Sequence, residues 1–147
     1  PPIECDGAAG GLAYGLRVFA NATLERGAAV VFEAQRVAER MANADIVFTG
    51  EGRFDRTSLQ GKAVGEVLGV AGRAGVYAAV IAGSVASDAP TIDRDKGTVA
   101  PCPGDAPPVG KNEAESRVTE AAGIAFARWL GARRGDAGAG GGGSILL

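Results

Sequence analysis

Between residues 29 and 42 the apolar residues Val30, Ala34, Val37 and Met41 recur at the spacing of one helix face, with Glu33, Arg36, Glu39 and Arg40 off it. The spacing predicts a helix over 29–42. Asp45-Ile46-Val47-Phe48-Thr49 is a short β-branched run between turn signals and reads as a buried strand, as does 76–82. Between them lie a polar, glycine-punctuated loop over 50–61 and a helix over 62–73 with Val64, Val67, Leu68 and Ala71 on one face. Strand, loop, helix, strand is one βαβ unit, whose strands should be parallel with a right-handed crossover. A third strand is expected near 98–100, followed by an irregular loop set by Pro101, Pro103, Pro107 and Pro108. Asn112 as N-cap with Glu115 three residues on predicts the start of a last helix. Its buried stripe would be Val118, Ala122, Ala125 and Trp129, and Arg133 and Arg134 suit its C-terminus. Near the start, 7–15 (GAAGGLAYG) reads as a loop feeding a short helix with Leu16, Val18 and Phe19. The expected fold class is α/β: a small parallel or mixed sheet with flanking helices, three-layered and Rossmann-like. It would occupy 1–134, with a glycine-rich disordered tail over 135–147.

Composition narrows the chemistry. A chain of 147 residues is about one domain, and its 29 alanines and 24 glycines favour close helix–sheet packing over a thick aromatic core. Histidine is absent, which removes Ser-His-Asp and Cys-His nucleophile sites, His-ligated zinc and any histidine base. A net charge of -2 argues against nucleic-acid binding. Cys5 and Cys102 are too few for a disulfide framework or a thiolate zinc site, and are read as non-functional. The longest apolar run, 76–82, falls far short of the ~20 residues that span a bilayer. No signal peptide is recognised, so a soluble, cytoplasmic protein is expected.

The informative segment is 49–63, TGEGRFDRTSLQGKA. It leaves the carboxyl end of a buried strand, where open α/β sheets place ligands. Gly50, Gly52 and Gly61 give the backbone freedom for close approach or positive φ. Glu51, Arg53, Asp55, Arg56, Thr57, Ser58 and Lys62 are the side chains that an anionic substrate, a phosphate and a metal would need. Lys62 falls at a helix start, where backbone N–H groups favour phosphate. Gly61-Lys62 is followed by Ala63 rather than Ser or Thr, so a Walker loop is excluded, and Gly50 and Gly52 do not open a helix as a dinucleotide fingerprint would. The residues leave two readings open: an anion-binding loop, or a solvated turn capping the next helix.

This segment resembles the strand, loop and Gly-Lys helix start of the glycerate kinase family. Three further stretches are similar to that family: GAAGGL at 7–12, the helix before Asp45, and VIAGSV at 80–85. The resemblance covers about 7–85 well and the final helix loosely. Members are longer, with two domains and an active site in the cleft between them. The chain therefore resembles the C-terminal portion of such a protein, a partial domain of a larger two-domain fold. The resemblance implies transfer of the ATP γ-phosphoryl group to D-glycerate with magnesium (Mg2+), 2-phosphoglycerate being the commoner product in this branch. In that chemistry Asp55 would orient or deprotonate the attacking hydroxyl and Lys62 would hold a phosphate. Arg53 would bind the glycerate carboxylate, with Glu51 and Ser58 as further substrate contacts. Glu51 could also hold magnesium, and Gly50, Gly52, Gly61 and Ser84, with Gly83 beside it, would line the phosphate site. The alternative is a non-catalytic α/β anion- or nucleotide-binding module, or a subunit completed by another chain. An apolar face left without its other half would favour self-association.

Overall fold

The structure, a computed structural model, describes residues 6–104, 107–135 and 145–146, and side chains within these except at 134, 135, 145 and 146. Cys5 lies outside them, and so does most of the tail expected to be disordered. The chain forms helices α1 (Ala8–Ala20), α2 (Gly27–Ala34) and α3 (Val37–Ala42), then strand β1 (Ile46–Phe54). A 3-10 turn (Arg56–Leu59), helix α4 (Ala63–Ala74), strands β2 (Tyr77–Val85) and β3 (Gly97–Pro101) and the long helix α5 (Lys111–Gly135) follow. Ile145–Leu146, within the expected tail, pair with β1 as a short strand β4. Every pairing is parallel and the order is β3-β2-β1-β4. The α/β class and the parallel βαβ unit are as expected.

The sheet is the middle of three layers. On one side Met41, Val47, Val67, Val70, Ala71, Val76 and Ala78 bury together beneath α3 and α4. On the other, Ile46, Tyr77, Ala79 and Ala100 meet Ala121, Ala125 and Trp129 of α5. Neighbours in β2 thus serve opposite faces, as the period-2 pleat requires. The alanines at 78 and 79 leave room for helices on both sides.

Several boundaries move. The helix expected over 29–42 is broken at Arg36, whose φ of 51° is left-handed. Of its predicted stripe only Met41 is buried, and Phe32 packs against the core from α2. The glycine-rich 7–15 segment is mostly helical, but Ala9, Gly10 and Gly11 all have positive φ and turn the chain before Leu12. A bidentate pair, Arg17 Nε to Asp6 Oδ1 at 2.9 Å and Nη2 to Oδ2 at 2.7 Å, fastens this turn to α1. The last helix begins at Lys111 rather than after Asn112, with Gly110 at φ 85° immediately before it. Glu113, in place of Asn112, accepts the Val109 N–H at 2.6 Å, while Glu115 pairs with Lys111 at 3.4 Å. Its buried stripe runs through Ala121, Ala125 and Trp129, leaving Val118 exposed. A helix this rich in alanine offers several similar faces, and the seat of Trp129 selects among them.

The change that matters for the site is in β1. The expected loop over 50–61 is strand as far as Phe54, because Gly50, Glu51, Arg53 and Phe54 pair with Ile81, Ala82, Ser84 and Val85 of β2. Polar side chains do not prevent backbone pairing when the ladder is already set by the apolar residues before them.

Candidate functional site

At the carboxyl ends of β1 and β2, on the α5 side, lies a cleft of about 660 Å³. Its floor is Gly50, Glu51, Gly52, Ile81, Gly83 and Ser84. Its far wall comes from Cys102, Gly104 and the first turns of α5 through Ala114, Arg117 and Val118. The glycines have different jobs. A Cβ on Gly50 would lie 2.9 Å from the Ile81 carbonyl oxygen, and one on Gly83 would lie 2.6 Å from that of Gly52. These two let the paired backbones close on each other. Gly52 has nothing within 4 Å of its would-be Cβ and leaves open space.

Glu51 is half-buried, and its Oε1 is buried with no hydrogen-bond partner among the described residues. A carboxylate oxygen removed from water needs a compensating donor or cation. No cluster of three or more His, Cys, Asp or Glu side chains stands ready for a metal among the described residues. A lone carboxylate still fits magnesium, which is commonly held by one or two carboxylates, substrate phosphates and its own waters.

The remaining predicted residues form a second group past the cleft floor. Asp55 caps the 3-10 turn: its Oδ1 accepts from Thr57 N at 2.8 Å and from Thr57 Oγ1 at 2.7 Å. Lys62, the N-cap of α4, donates from Nζ to Thr57 Oγ1 at 2.7 Å and stands 3.9 Å from Asp55 Oδ1. Arg53 Nε stands 3.9 Å from Asp55 Oδ2, with its side chain 69% exposed. The Thr57 hydroxyl and amide donors, then Lys62 and Arg53, hold the Asp55 carboxyl below the usual aspartate value. Ser58 is fully buried; its Oγ accepts the Asp55 N–H at 2.9 Å and closes the capping box. That commits the hydroxyl to the turn, so as a substrate contact Ser58 is replaced by a structural role. Gly61, at φ 67°, turns the chain into α4.

The structure therefore divides the predicted set. Gly50, Glu51, Gly52, Gly83 and Ser84 line the cleft, while Arg53, Asp55 and Lys62 form the capped turn beyond it. Arg117, Gly104 and Cys102 also line the cleft, and no sequence pattern singles them out for it. They lie far along the chain from the charged loop: the pairing of β3 with β2 brings Cys102 and Gly104 to it, Cys102 N–H donating to the Ala82 carbonyl at 2.7 Å, and the crossing of α5 over the sheet brings Arg117. A second hollow of about 520 Å³ lies at the opposite, amino ends of β2 and β3, beside Tyr77, Thr98 and Arg128. The carboxyl end is the one that parallel sheets use for ligands.

Comparison with known proteins bears on the family and the fold. The sequence model of the Glycerate kinase family matches residues 2–142. A glycerate kinase of Bacillus subtilis is 38% identical over 96 residues, covering 65% of this chain and 23% of the relative. A glycerate kinase of Neisseria meningitidis serogroup B is 40% identical over 88 residues, covering 58% and 23%. A glycerate 2-kinase of Escherichia coli is 36% identical over 88 residues, covering 60% and 23%. The chain spans about a quarter of the length of the curated relatives it matches. A solved structure described as a putative glycerate kinase 2 from Salmonella typhimurium LT2 superposes with a TM-score of 0.54 at 24% identity, over 89% of this chain and 33% of that one. At that identity the likeness speaks for the fold.

Proposed function

Because the chain belongs to the glycerate kinase family, we propose that its carboxyl-end cleft takes part in transfer of the ATP γ-phosphoryl group to a hydroxyl of D-glycerate, giving 2-phosphoglycerate. The observation that carries this reading is a carboxyl-end cleft floored by glycine, Ile81 and Ser84, in the same strand stretch as the buried, unpartnered Oε1 of Glu51. Such a floor accepts a ligand's phosphates against backbone, and Glu51 is the carboxylate among its described lining residues. Magnesium, held there by Glu51, would neutralise phosphate charge. Phosphoryl transfer asks a protein mainly for positioning and charge neutralisation. Asp55, ionised by its Thr57 donors, orients the attacking hydroxyl through Oδ2, since Oδ1 is committed to the turn. Lys62 meets a phosphate as a point charge, and Arg53 faces the substrate's anionic end. Ser84 and the amides of Gly50 and Gly52 border the phosphates. The reading implies a cytoplasmic reaction with ATP and glycerate as the small-molecule partners. Among the described residues no helix is long and apolar enough to cross a membrane.

A second reading, a binding module completed by another chain, draws on the apolar side chains that α1 leaves exposed, Leu12, Leu16, Val18 and Phe19 among them. One assay addresses both. Incubated with ATP, magnesium and D-glycerate, the isolated chain should shift the Gly50, Gly52 and Ser84 amide resonances yet form no appreciable phosphoglycerate. Turnover should appear when the portion of a relative that this chain lacks is added. Absence of any shift at those amides refutes the cleft as the site.

A further inference from the structure

Thr57 stands between the two charged side chains that cap the turn and the helix after it. Its Oγ1 lies 2.7 Å from Asp55 Oδ1 and 2.7 Å from Lys62 Nζ. An ammonium only donates and an ionised carboxylate only accepts, so the direction of this chain is fixed. Lys62 donates to the hydroxyl, and the single hydroxyl proton goes to Asp55. Lys62 Nζ itself stands 3.9 Å from Asp55 Oδ1, beyond hydrogen-bond distance, and the hydroxyl bridges that gap. The 3-10 turn has its cap without this bridge. Thr57 N donates to Asp55 Oδ1 at 2.8 Å, and Ser58 Oγ accepts the Asp55 N–H at 2.9 Å. The consequence of the hydroxyl therefore falls on the carboxylate. It is the first cause that holds the Asp55 carboxyl below the usual aspartate value, ahead of Lys62 from the start of α4 and Arg53 from β1, the charged groups that face it. With both Thr57 donors on Oδ1, the other oxygen, Oδ2, stands 3.9 Å from Arg53 Nε.

We propose that Thr57 is a positioning residue for the transfer: its hydroxyl holds the Asp55 carboxylate and the Lys62 ammonium in one fixed relation and assigns Oδ2 to the attacking hydroxyl. The inference rests on the kinase reading above, which gives Asp55 and Lys62 their tasks, and adds the group that ties the two together. Valine has the shape of threonine and keeps the backbone N–H. Thr57→Val therefore removes the bridge and leaves the amide contact of the cap in place. Thr57→Ser restores the hydroxyl without the methyl.

The test has two readouts. The first needs no activity: the carboxyl carbon of Asp55 is titrated by NMR in the wild-type chain, Thr57→Val and Thr57→Ser. Asp55 should titrate higher in Thr57→Val, toward the ordinary aspartate value, and as wild type in Thr57→Ser. The second is steady-state kinetics of the chain completed by the portion of a relative that it lacks. Thr57→Val should lower kcat by about tenfold with the KM for D-glycerate little altered, the size expected for losing one hydrogen bond to a charged group. Thr57→Ser should recover most of that loss. In an Asp55→Asn background Thr57→Val should cost less than about twofold more, since the charge it positions is already gone. An Asp55 titration that is the same in Thr57→Val and wild type overturns the inference and leaves the kinase reading standing. So does a shifted titration beside unchanged kinetics, or a full tenfold loss in the Asp55→Asn background. If the completed wild-type enzyme forms no phosphoglycerate, the kinase reading falls and takes the positioning role with it.

Discussion

Asp55 stands at the end of a short relay in which Lys62 Nζ donates to Thr57 Oγ1 and Thr57 Oγ1 donates to Asp55 Oδ1. Its depressed pKa has a definite sign in stability. The contact contributes above the ordinary aspartate value and is lost as pH falls through the lower, folded value. Asparagine at this position keeps a capping oxygen and loses the charge. The stability difference between wild type and Asp55→Asn should therefore close as pH is lowered through the aspartate range, which thermal melts in a pH series would read. In an active, completed enzyme the same substitution should reduce kcat by about 10²-fold with KM little altered. Kinetics unchanged beside a shifted melting temperature would leave Asp55 with the cap alone. Ser58→Ala answers a separate question. Removing a fully buried hydroxyl leaves the Asp55 N–H without its acceptor, and denaturant unfolding should register a loss of about 1–3 kcal/mol. The sequence made the chemical types in this loop legible. It did not distinguish a hydroxyl facing a ligand from one closing a capping box, since Ser in either place looks alike until the turn is built.

At the level of elements the cleft depends on how closely β1 and β2 approach beyond their apolar halves. Gly83→Ala would place a methyl 2.6 Å from the Gly52 carbonyl oxygen, backbone that cannot move without opening the ladder. The expected cost is about 1–3 kcal/mol, with weakened binding because the floor is displaced. Gly52→Ala meets nothing within 4 Å, so its melting temperature should stay near wild type while ligand affinity falls. The pair separates packing from access, and equal effects of the two on stability would contradict the geometry. Both strands were legible from their apolar cores at 46–49 and 76–82, yet each runs further, to Phe54 and Val85. Their polar ends carry no hydrophobic pattern; what extends them is the register inherited from the paired residues before. The break at Arg36 was likewise unreadable, since Gln35-Arg36 contains no residue that favours a left-handed turn.

On the scale of the whole molecule, the three layers close tightly around the sheet, but α1 and α2 present Leu12, Leu16, Val18, Phe19, Val30 and Val31 to solvent, Phe19 at 89% exposure. Large apolar side chains exposed in this number on two helices suit an interface. The isolated chain should bind a hydrophobic dye and self-associate with rising concentration in light scattering; a monodisperse monomer with no dye signal would contradict this. The βαβ unit and its parallel strand pair were determined by sequence alone, because periodicity and turn signals are local and the order strand, helix, strand admits few arrangements. The glycerate kinase resemblance was likewise carried by contiguous residues, from Gly7 to Val85, and so needed no fold to be seen. Only the tertiary structure decided which of the loop's charges face the cleft, and that Glu51 keeps an oxygen without a partner. It alone brought Gly104, from the loop after β3, and Arg117, from α5, to the cleft from more than fifty residues down the chain. The reason is physical: a binding site is a property of which surfaces meet, and in an alanine- and glycine-rich chain many faces could have met until Trp129 and the sheet fixed one.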